Sequence, residues 1–380
     1  MKIIADENMP NAEALFSHLG TVELVNGRAL THDQVKNADV LLVRSVTKVT
    51  RDLLEGSSVR FVGSATIGVD HIDLKYLAEA NVAFSSAPGC NAEAVADYVF
   101  SGLSYLYLTK GLHWLSKKIG VIGYGNVGKS VYERFARMGC QVCVYDPLKM
   151  DSGGSVNFVS LTDVLACDVI SLHAPLTHSG SYPTKGMLGA EALSQLPAGA
   201  AIISAGRGGV IDEQALIERH AQLNGDLHLV LDVWDDEPNI NQALVSIVDI
   251  ATPHIAGYSK QGREKGTWMV YQALCQYLKL NTPGVSSKDA MSDGWLSAIR
   301  VRAGGSQEEM LARSIHAIYD VARDDARLRF KYRENKENNV FDWLRKHYIE
   351  RDELNTCFMS ADISIAHNFL GAAGFSVNNK

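Results

Sequence analysis

Short apolar runs separated by mixed, helix-like spacers recur along the first 90 residues: KIIAD, TVELV, VLLVR, RFVGSA and VAFSSA. Brief continuous apolar runs suit strands covered on both faces, and their alternation with helical spacers predicts a parallel sheet with helices packed against it. The stretch at 94–115, AVADYVFSGLSYLYLTKGLHWL, is apolar for most of its length. Asp97, Lys110 and His113 interrupt it before it reaches the roughly 18 apolar residues of a membrane span. It predicts a long buried helix. A second, more regular series then begins: KIGVIG, QVCVYD, DVISLH, AAIISA, LHLVLDV and IVDIATP. These six strands with their crossovers predict a doubly wound domain of dinucleotide-binding size. A helix at 260–280 follows the last strand and is expected to return to the first domain, making that domain discontinuous in sequence.

The segment NTPGVSSKDAMSDG (281–294), rich in Pro, Gly, Ser and Asp, predicts a linker. Beyond it Met310, Leu311, Ile315, Ile318 and Tyr319 fall at helical spacing behind Ser306, a candidate N-cap with Glu308 or Glu309 nearby. The remainder, RFKYRENKENNVFDWLRKHYIERDEL, is dense in both charge signs with a sparse apolar stripe, and reads as a solvated helical face.

The chain is 380 residues long and 46% hydrophobic, enough for several buried cores. Its formal charge of -7 comes from interspersed acids and bases without a basic block, which argues against nucleic acid as the main partner. Met1 leads directly into a strand-like segment with no charged-then-apolar leader, so a cytoplasmic protein is expected, with no membrane partner. The cysteines are scattered at 90, 140, 143, 167, 275 and 357, which suits free thiols in a reducing compartment. Cys140 and Cys143 form a CxxC, but on a strand residues three apart point to opposite faces, so no metal or redox pair is expected there.

Candidate chemistry begins at IGVIGYGNVGKSV, where Gly123, Gly125 and Gly128 form a GxGxxG between an apolar strand and an amphipathic helix. The first glycine permits the tight turn, the second lets backbone approach a pyrophosphate, and the third lets helix and strand pack closely. Asn126 and Val127 fall at the helix N-terminus, where free N–H groups and the helix dipole favour phosphate. The next strand ends in Asp146, 18 residues past Gly128. A carboxylate there accepts hydrogen bonds from the adenosine ribose and repels a 2′-phosphate, so the expected cofactor is NAD.

Each later strand of the series also ends in a polar or charged residue: His173, Arg207, Asp232 with Glu237 beyond it, and His254. Ligands in such sheets bind outside the carboxyl ends of the strands. Oxidising a secondary alcohol requires a base for the hydroxyl proton, and His254 is the candidate. Glu237 would orient its ring and favour the protonated form, and Arg207 offers a planar fork for a carboxylate. Together the three specify a 2-hydroxy acid. His173 is a competing base, although it more readily lines the cofactor with Ala174.

The order GYGNVG, Asp146, LHAPLT, GRGGVID, LDVWDDEP and TPHIAG resembles the D-isomer-specific 2-hydroxyacid dehydrogenase family over about residues 1–280. The resemblance implies catalytic positions for Arg207, Glu237 and His254, with Asp232 at the nicotinamide and Gly257 also on the cofactor. It implies a flavodoxin-like substrate (lid) domain at 1–93 and 259–281 around a doubly wound NAD-binding domain at 94–258. A linker at 282–294 and a smaller C-terminal α+β domain at 295–380 follow, the latter resembling a dimerisation domain. Two positions depart from common family residues: Gly206 precedes Arg207, and Ala174 replaces a frequent Thr or Val.

Within the family, VRSVTKVT, VGSATIGVDHIDL and HIAGYS resemble a branch acting on a phosphorylated 2-hydroxy acid in vitamin B6 synthesis. Ser45, Thr66 and Tyr258 would then bind substrate, and Arg44 and Lys48, at the exit of an apolar strand, are candidates for its phosphate. Oxidation of 3-phosphoglycerate is the alternative activity, and a non-catalytic NAD-sensing protein of the same fold the alternative class.

Overall fold

The computed structural model describes residues 1–150, 154–280, 286, 290–302, 304–334, 339–361 and 364–377. They fall into two compact units, Met1–Asn91 with Ser259–Asp293, and Ala92–Tyr258 with Gly294–Lys380. Most of the expected linker lies outside the described residues.

The first unit is built on β1 (Lys2–Asp6), β2 (Thr21–Val25), β3 (Val40–Val43), β4 (Phe61–Ser64) and β5 (Ala83–Ser85). All pair in parallel in the order β2-β1-β3-β4-β5, a flavodoxin-like arrangement. Every residue of β3 and β4 is buried, which a parallel sheet covered on both faces demands. One cover is the helix Lys260–Tyr277, whose Val270, Tyr271, Leu274 and Cys275 join Ile3, Ala5, Leu42 and Phe61 in one core. It comes so close to β4 that a Cβ on Gly63 would stand 2.3 Å from Val270 Cγ1. The absence of a side chain at residue 63 sets that helix's depth.

In the second unit β6 (Lys118–Ile122), β7 (Gln141–Tyr145), β8 (Val169–Leu172), β9 (Ala200–Ser204), β10 (Leu227–Leu231) and β11 (Ile250–Ala251) form a parallel sheet in the order β11-β10-β9-β8-β6-β7. The chain runs outward from β6 to β7 and then returns to the other side of β6 for β8. The carboxyl ends of β6 and β8 therefore flank the switch point where such sheets bind ligands.

The long apolar stretch is the helix Ala92–Lys110, its first thirteen residues nearly all buried. Among the described residues no helix is long and apolar enough to cross a membrane. Asp97 is tolerated in this core because Arg134 Nη1 donates to it at 2.6 Å and the Leu354 amide at 3.0 Å. Arg134 also donates to Glu93 Oε2 at 2.6 Å and to the Ala373 carbonyl at 3.1 Å, which ties the C-terminal segment to this helix.

That segment belongs to the same compact unit and carries its own small parallel sheet, β12 (Ala298–Val301), β13 (Phe358–Ala361) and β14 (Ser376–Val377). Ser306 caps the helix Gln307–Ile318 by accepting from the Glu309 amide at 3.0 Å. Glu308 turns inward and accepts from the Trp114 and Leu115 amides at 2.6 and 2.8 Å. The charged stretch that follows is not the solvated face its composition predicts: Val340, Phe341, Leu344 and Arg351 are buried. The physical reason is that cations share the packing with the sparse apolar stripe. Arg351 lies 3.8 Å over the Tyr319 ring and donates to the carbonyls of Ala94 and Ala256 at 2.9 and 2.6 Å.

Candidate active site

At the end of β6 the glycine loop takes the shape its spacing requires. Gly123 has φ +88, and a Cβ there would stand 2.9 Å from the Ala174 amide nitrogen. A Cβ on Gly128 would stand 1.8 Å from the Gly123 carbonyl oxygen. Gly125, the N-cap of the helix Asn126–Arg137, faces open space instead. Gly125 and Asn126 are exposed and Val127 half-buried, so the first-turn N–H groups are accessible to an anion. Asp146, just beyond β7, accepts from the Tyr124 amide at 2.8 Å and from the Leu148 amide at 3.2 Å. These bonds hold its carboxylate beside the loop. The residues present therefore fit a dinucleotide: an open glycine at a helix N-terminus and a fixed carboxylate at the neighbouring strand end.

His173 follows β8. Its Nε2 shares a 2.7 Å hydrogen bond with Ser171 Oγ, and its Nδ1 is buried without a partner. Burial pushes the imidazole down to about 3, so it stays neutral near physiological pH. The two departures from common family residues touch each other: a Cβ on Gly206 would stand 2.7 Å from the Ala174 carbonyl oxygen. Arg207 follows β9 and is half-buried, with Nη1 donating to the Gly206 carbonyl at 2.9 Å.

The next two strand ends supply the Glu–His pair. His254 Nδ1 donates to Glu237 Oε2 at 2.8 Å, and the Trp234 amide donates to Glu237 Oε1 at 3.0 Å. A carboxylate can only accept, so Nδ1 carries the proton and Nε2 is the nitrogen left for a substrate. Burial acts to raise the Glu237 carboxyl, but the hydrogen bond and charge of His254, the Trp234 amide and the Arg345 cation hold it below the usual glutamate value.

His254 itself sits at φ +55, in the left-handed region that residues other than glycine seldom adopt. Asp232 holds it there. The Asp232 carbonyl accepts from the His254 amide at 2.8 Å, and the buried carboxylate accepts from Thr252 Oγ1 at 2.6 Å and from the Ile255 and Ala256 amides, each at 2.8 Å. Thr252 in turn accepts from the Tyr98 hydroxyl at 2.8 Å. Asp232 is thus the anchor of the histidine turn, a task its place at a strand end does not reveal.

Tyr258 closes this turn, half-buried, with its ring edge-on to Tyr348 at 5.6 Å. Arg345 lies beside it, the guanidinium 5.8 Å from the Tyr258 ring. Neither Tyr348 nor Arg345 is legible as a site residue in sequence, since both stand in the charged C-terminal stretch with no motif around them.

The other sequence-predicted residues belong to the first unit. At the exit of β3, Arg44 is half-buried, Ser45 and Lys48 are exposed, and the Thr47 amide donates to the Arg44 carbonyl at 3.1 Å to form a turn. Thr66, beyond β4, donates to the Gly68 carbonyl at 3.0 Å. Its hydroxyl therefore accepts from Ser64 Oγ at 2.7 Å, and Ser64 is within 3.0 Å of His71 Nε2. Thr66 is held from two sides. Among the described residues no group of three or more His, Cys, Asp or Glu converges as a metal site, and the Cys143 thiol lies not against Cys140 but 3.4 Å from Cys167.

A family model described as the NAD-binding domain of D-isomer-specific 2-hydroxyacid dehydrogenases matches residues 107–256, and a domain of unknown function matches 291–374. The erythronate-4-phosphate dehydrogenase of Marinomonas sp. is 77% identical over 380 residues, covering 100% of both chains. That of Cellvibrio japonicus is 44% identical over 385 residues, covering 99% of each. Among solved structures, an NAD+-bound 3-phosphoglycerate dehydrogenase of Entamoeba histolytica is 27% identical, covers 73% of this chain and 95% of its own, and superposes with a TM-score of 0.62. A D-lactate dehydrogenase of Aquifex aeolicus with NAD and lactic acid shares the fold, at 24% identity and a TM-score of 0.58, over 73% of this chain and 96% of its own. Full-length identity at this level, together with the glycine loop and the Glu–His pair, means that the chain belongs to the D-isomer-specific 2-hydroxyacid dehydrogenase family, within its erythronate-4-phosphate dehydrogenase group.

Proposed function

We propose that the protein oxidises the 2-hydroxyl of 4-phospho-D-erythronate to 2-oxo-3-hydroxy-4-phosphobutanoate, an NAD-dependent step in pyridoxal phosphate synthesis. The observation that carries the mechanism is the 2.8 Å bond from His254 Nδ1 to Glu237. With that bond fixed, His254 Nε2 is the base that takes the hydroxyl proton, and in the reverse direction the imidazolium returns it. NAD, when bound, accepts the hydride from C2 of the substrate. Arg207 clamps the α-carboxylate and so fixes which carbon is presented, since a guanidinium fork matches a carboxylate in bidentate fashion. Glu237 keeps the ring in one tautomer and stabilises its charge after proton transfer. Asp232 positions His254, and His173, neutral and bonded to Ser171, is better suited to the cofactor lining with Ala174 and Gly257 than to proton transfer.

Ser45, Thr66 and Tyr258 would hold the substrate's hydroxyls and phosphate, with Arg44 and Lys48 as the cations for the phosphate. The C-terminal segment is read as a homodimer surface, supported by the exposure of Trp295 (92%), Ile349 (73%) and Phe358 (50%), large apolar side chains that a monomer rarely leaves in water together. The free cysteines fit a reducing compartment, the cytoplasm.

Purified protein and NAD mixed with 4-phospho-D-erythronate or, separately, 3-phospho-D-glycerate test the substrate directly when NADH formation is followed over a single turnover. Hydride transfer from phosphoerythronate alone is expected. Transfer from phosphoglycerate alone would move the protein to that alternative, and transfer from neither would leave an NAD-sensing role. For the cofactor, Asp146→Ala is expected to weaken NAD binding and narrow its preference over NADP, because it removes both the ribose acceptor and the anion that repels a 2′-phosphate. Titration with each dinucleotide checks this, and an unchanged preference would reject the assignment.

A further inference from the structure

Beyond β4 a run of hydrogen bonds has its direction fixed by donor counting. Thr66 Oγ1 lies 3.0 Å from the Gly68 carbonyl oxygen, which can only accept, so the single hydroxyl proton of Thr66 is committed there. Ser64 Oγ, 2.7 Å from Thr66 Oγ1, must therefore donate to it and has no proton left for His71 Nε2, 3.0 Å away. His71 Nε2–H is then the donor that begins the run. The order is His71 to Ser64 to Thr66 to the Gly68 carbonyl.

The surroundings hold this order in place. Ser64 is fully buried, so water does not compete for its hydroxyl. The backbone at His71 is pinned: its carbonyl accepts from the Val49 amide at 2.8 Å, and the Asp73 amide donates to the Val49 carbonyl at 2.9 Å. Burial holds the His71 imidazole below its ordinary value against the opposing charge of Asp70, so the ring is neutral near pH 7.

A hydroxyl has one proton and two lone pairs. Thr66 gives its proton to Gly68 and one lone pair to Ser64, so it can accept once more and cannot donate. Thr66 is half-buried and stands two residues past Ser64, as Ser45 stands two residues past Val43, the partner of Ser64 in register. Both leave the sheet at carboxyl strand ends, where ligands bind in this architecture. A carboxylate or a phosphate dianion has no proton to offer the free lone pair of Thr66. A substrate hydroxyl has one.

We propose that Thr66 is a specificity residue that accepts a hydrogen bond from the 3-hydroxyl of 4-phospho-D-erythronate, with Ser64 and His71 as positioning residues that fix it as an acceptor. The inference rests on the dehydrogenase reading above and deepens it. In that reading the 2-hydroxyl gives its proton to His254, Arg207 holds the carboxylate and cations hold the phosphate, so the 3-hydroxyl is the donor still unassigned. 3-Phosphoglycerate carries no hydroxyl between C2 and its phosphate ester. With that acid bound, the lone pair of Thr66 is left without a donor, which counts against the shorter substrate.

The test compares wild type with Thr66→Val, Thr66→Ser and Ser64→Ala in single-turnover NAD reduction. Each is measured over a range of concentrations of 4-phospho-D-erythronate and of its 3-deoxy analogue, D-2-hydroxy-4-phosphobutanoate, which keeps the length and both anions. The ratio of variant to wild type for each acid cancels the intrinsic reactivity of that acid. T66V should lower the rate per unit substrate about 10–100-fold more for phosphoerythronate than for the deoxy acid. T66S keeps the hydroxyl and should restore most of the preference, while S64A should weaken it several-fold because Thr66 is then free to turn. A residue that only braces the loop would act on both acids alike, and an equal loss in T66V overturns the proposal. 15N NMR of histidine-labelled protein, with His71 assigned through His71→Gln, reads the direction of the run without substrate. A neutral ring protonated on Nε2 is expected; protonation on Nδ1 reverses the donors and overturns the proposal. If wild type reduces NAD with neither acid, the substrate reading is what fails and the 3-hydroxyl assignment falls with it, while the ring still decides whether Thr66 is held as an acceptor.

Discussion

His254→Gln lowers the single-turnover rate of NAD reduction by about 10²–10⁴-fold, the usual range for loss of a general base, while NAD binding is retained. Glutamine keeps much of the volume and one polar group facing Glu237, so the turn anchored by Asp232 is expected to hold. What disappears is the group able to take the hydroxyl proton near neutral pH. Glu237→Gln should also be severe: with its amide oxygen held by Trp234, its NH2 donates to His254 Nδ1 and moves the ring proton to Nε2, the nitrogen that must act as base. Stopped-flow absorbance of NADH with each variant, beside an NAD titration, separates these outcomes. A His254→Gln enzyme within threefold of wild type would remove the residue from the chemistry.

The parts of the site legible in sequence are those where one residue's identity is dictated by backbone geometry or by the end of a buried strand. The glycine loop is of this kind: a Cβ at Gly123 or Gly128 would collide with backbone, so the spacing itself encodes the turn. The uninterrupted apolar runs of both large sheets are also legible, because parallel strands covered on two faces have no polar alternation to confuse them. The C-terminal segment is not. Its strands are short and half-exposed, and its core is made partly of arginines stacked on aromatic rings, a pattern that composition assigns to solvent. Asp232 was legible as a strand-end acid, but its bonds go to the backbone of the histidine turn, which lies more than 20 residues away in sequence. Arg345 reaches the site from still farther, and no local pattern marks it.

The buried charges under the helix Ala92–Lys110 carry the second large effect. Arg134→Met is expected to destabilise the second unit by about 3–5 kcal/mol, the cost of leaving one buried partner uncompensated, and to lower Tm by roughly 10 °C for a domain of this size. Arg134 is about 1% exposed and its partner Asp97 fully buried, so water cannot replace the lost contact. The same guanidinium sits where a Cβ on Gly374 would come within 2.6 Å of Cζ, so its loss also frees the turn before β14. Burial already raises the Asp97 carboxyl in the native protein, against the pull of Arg134 and Arg351. Without Arg134 the folded value rises further above the unfolded one. The penalty is then fully present above the folded value and is relieved as pH falls through it, because a neutral carboxyl needs no cation. Thermal melts of the variant and wild type should accordingly diverge more at pH 8 than at pH 5.5. Asp97→Leu combined with Arg134→Met should be less damaging than Arg134→Met alone, since the pair's attraction is weighed against the cost of stripping water from both charges, and removing both ends that cost.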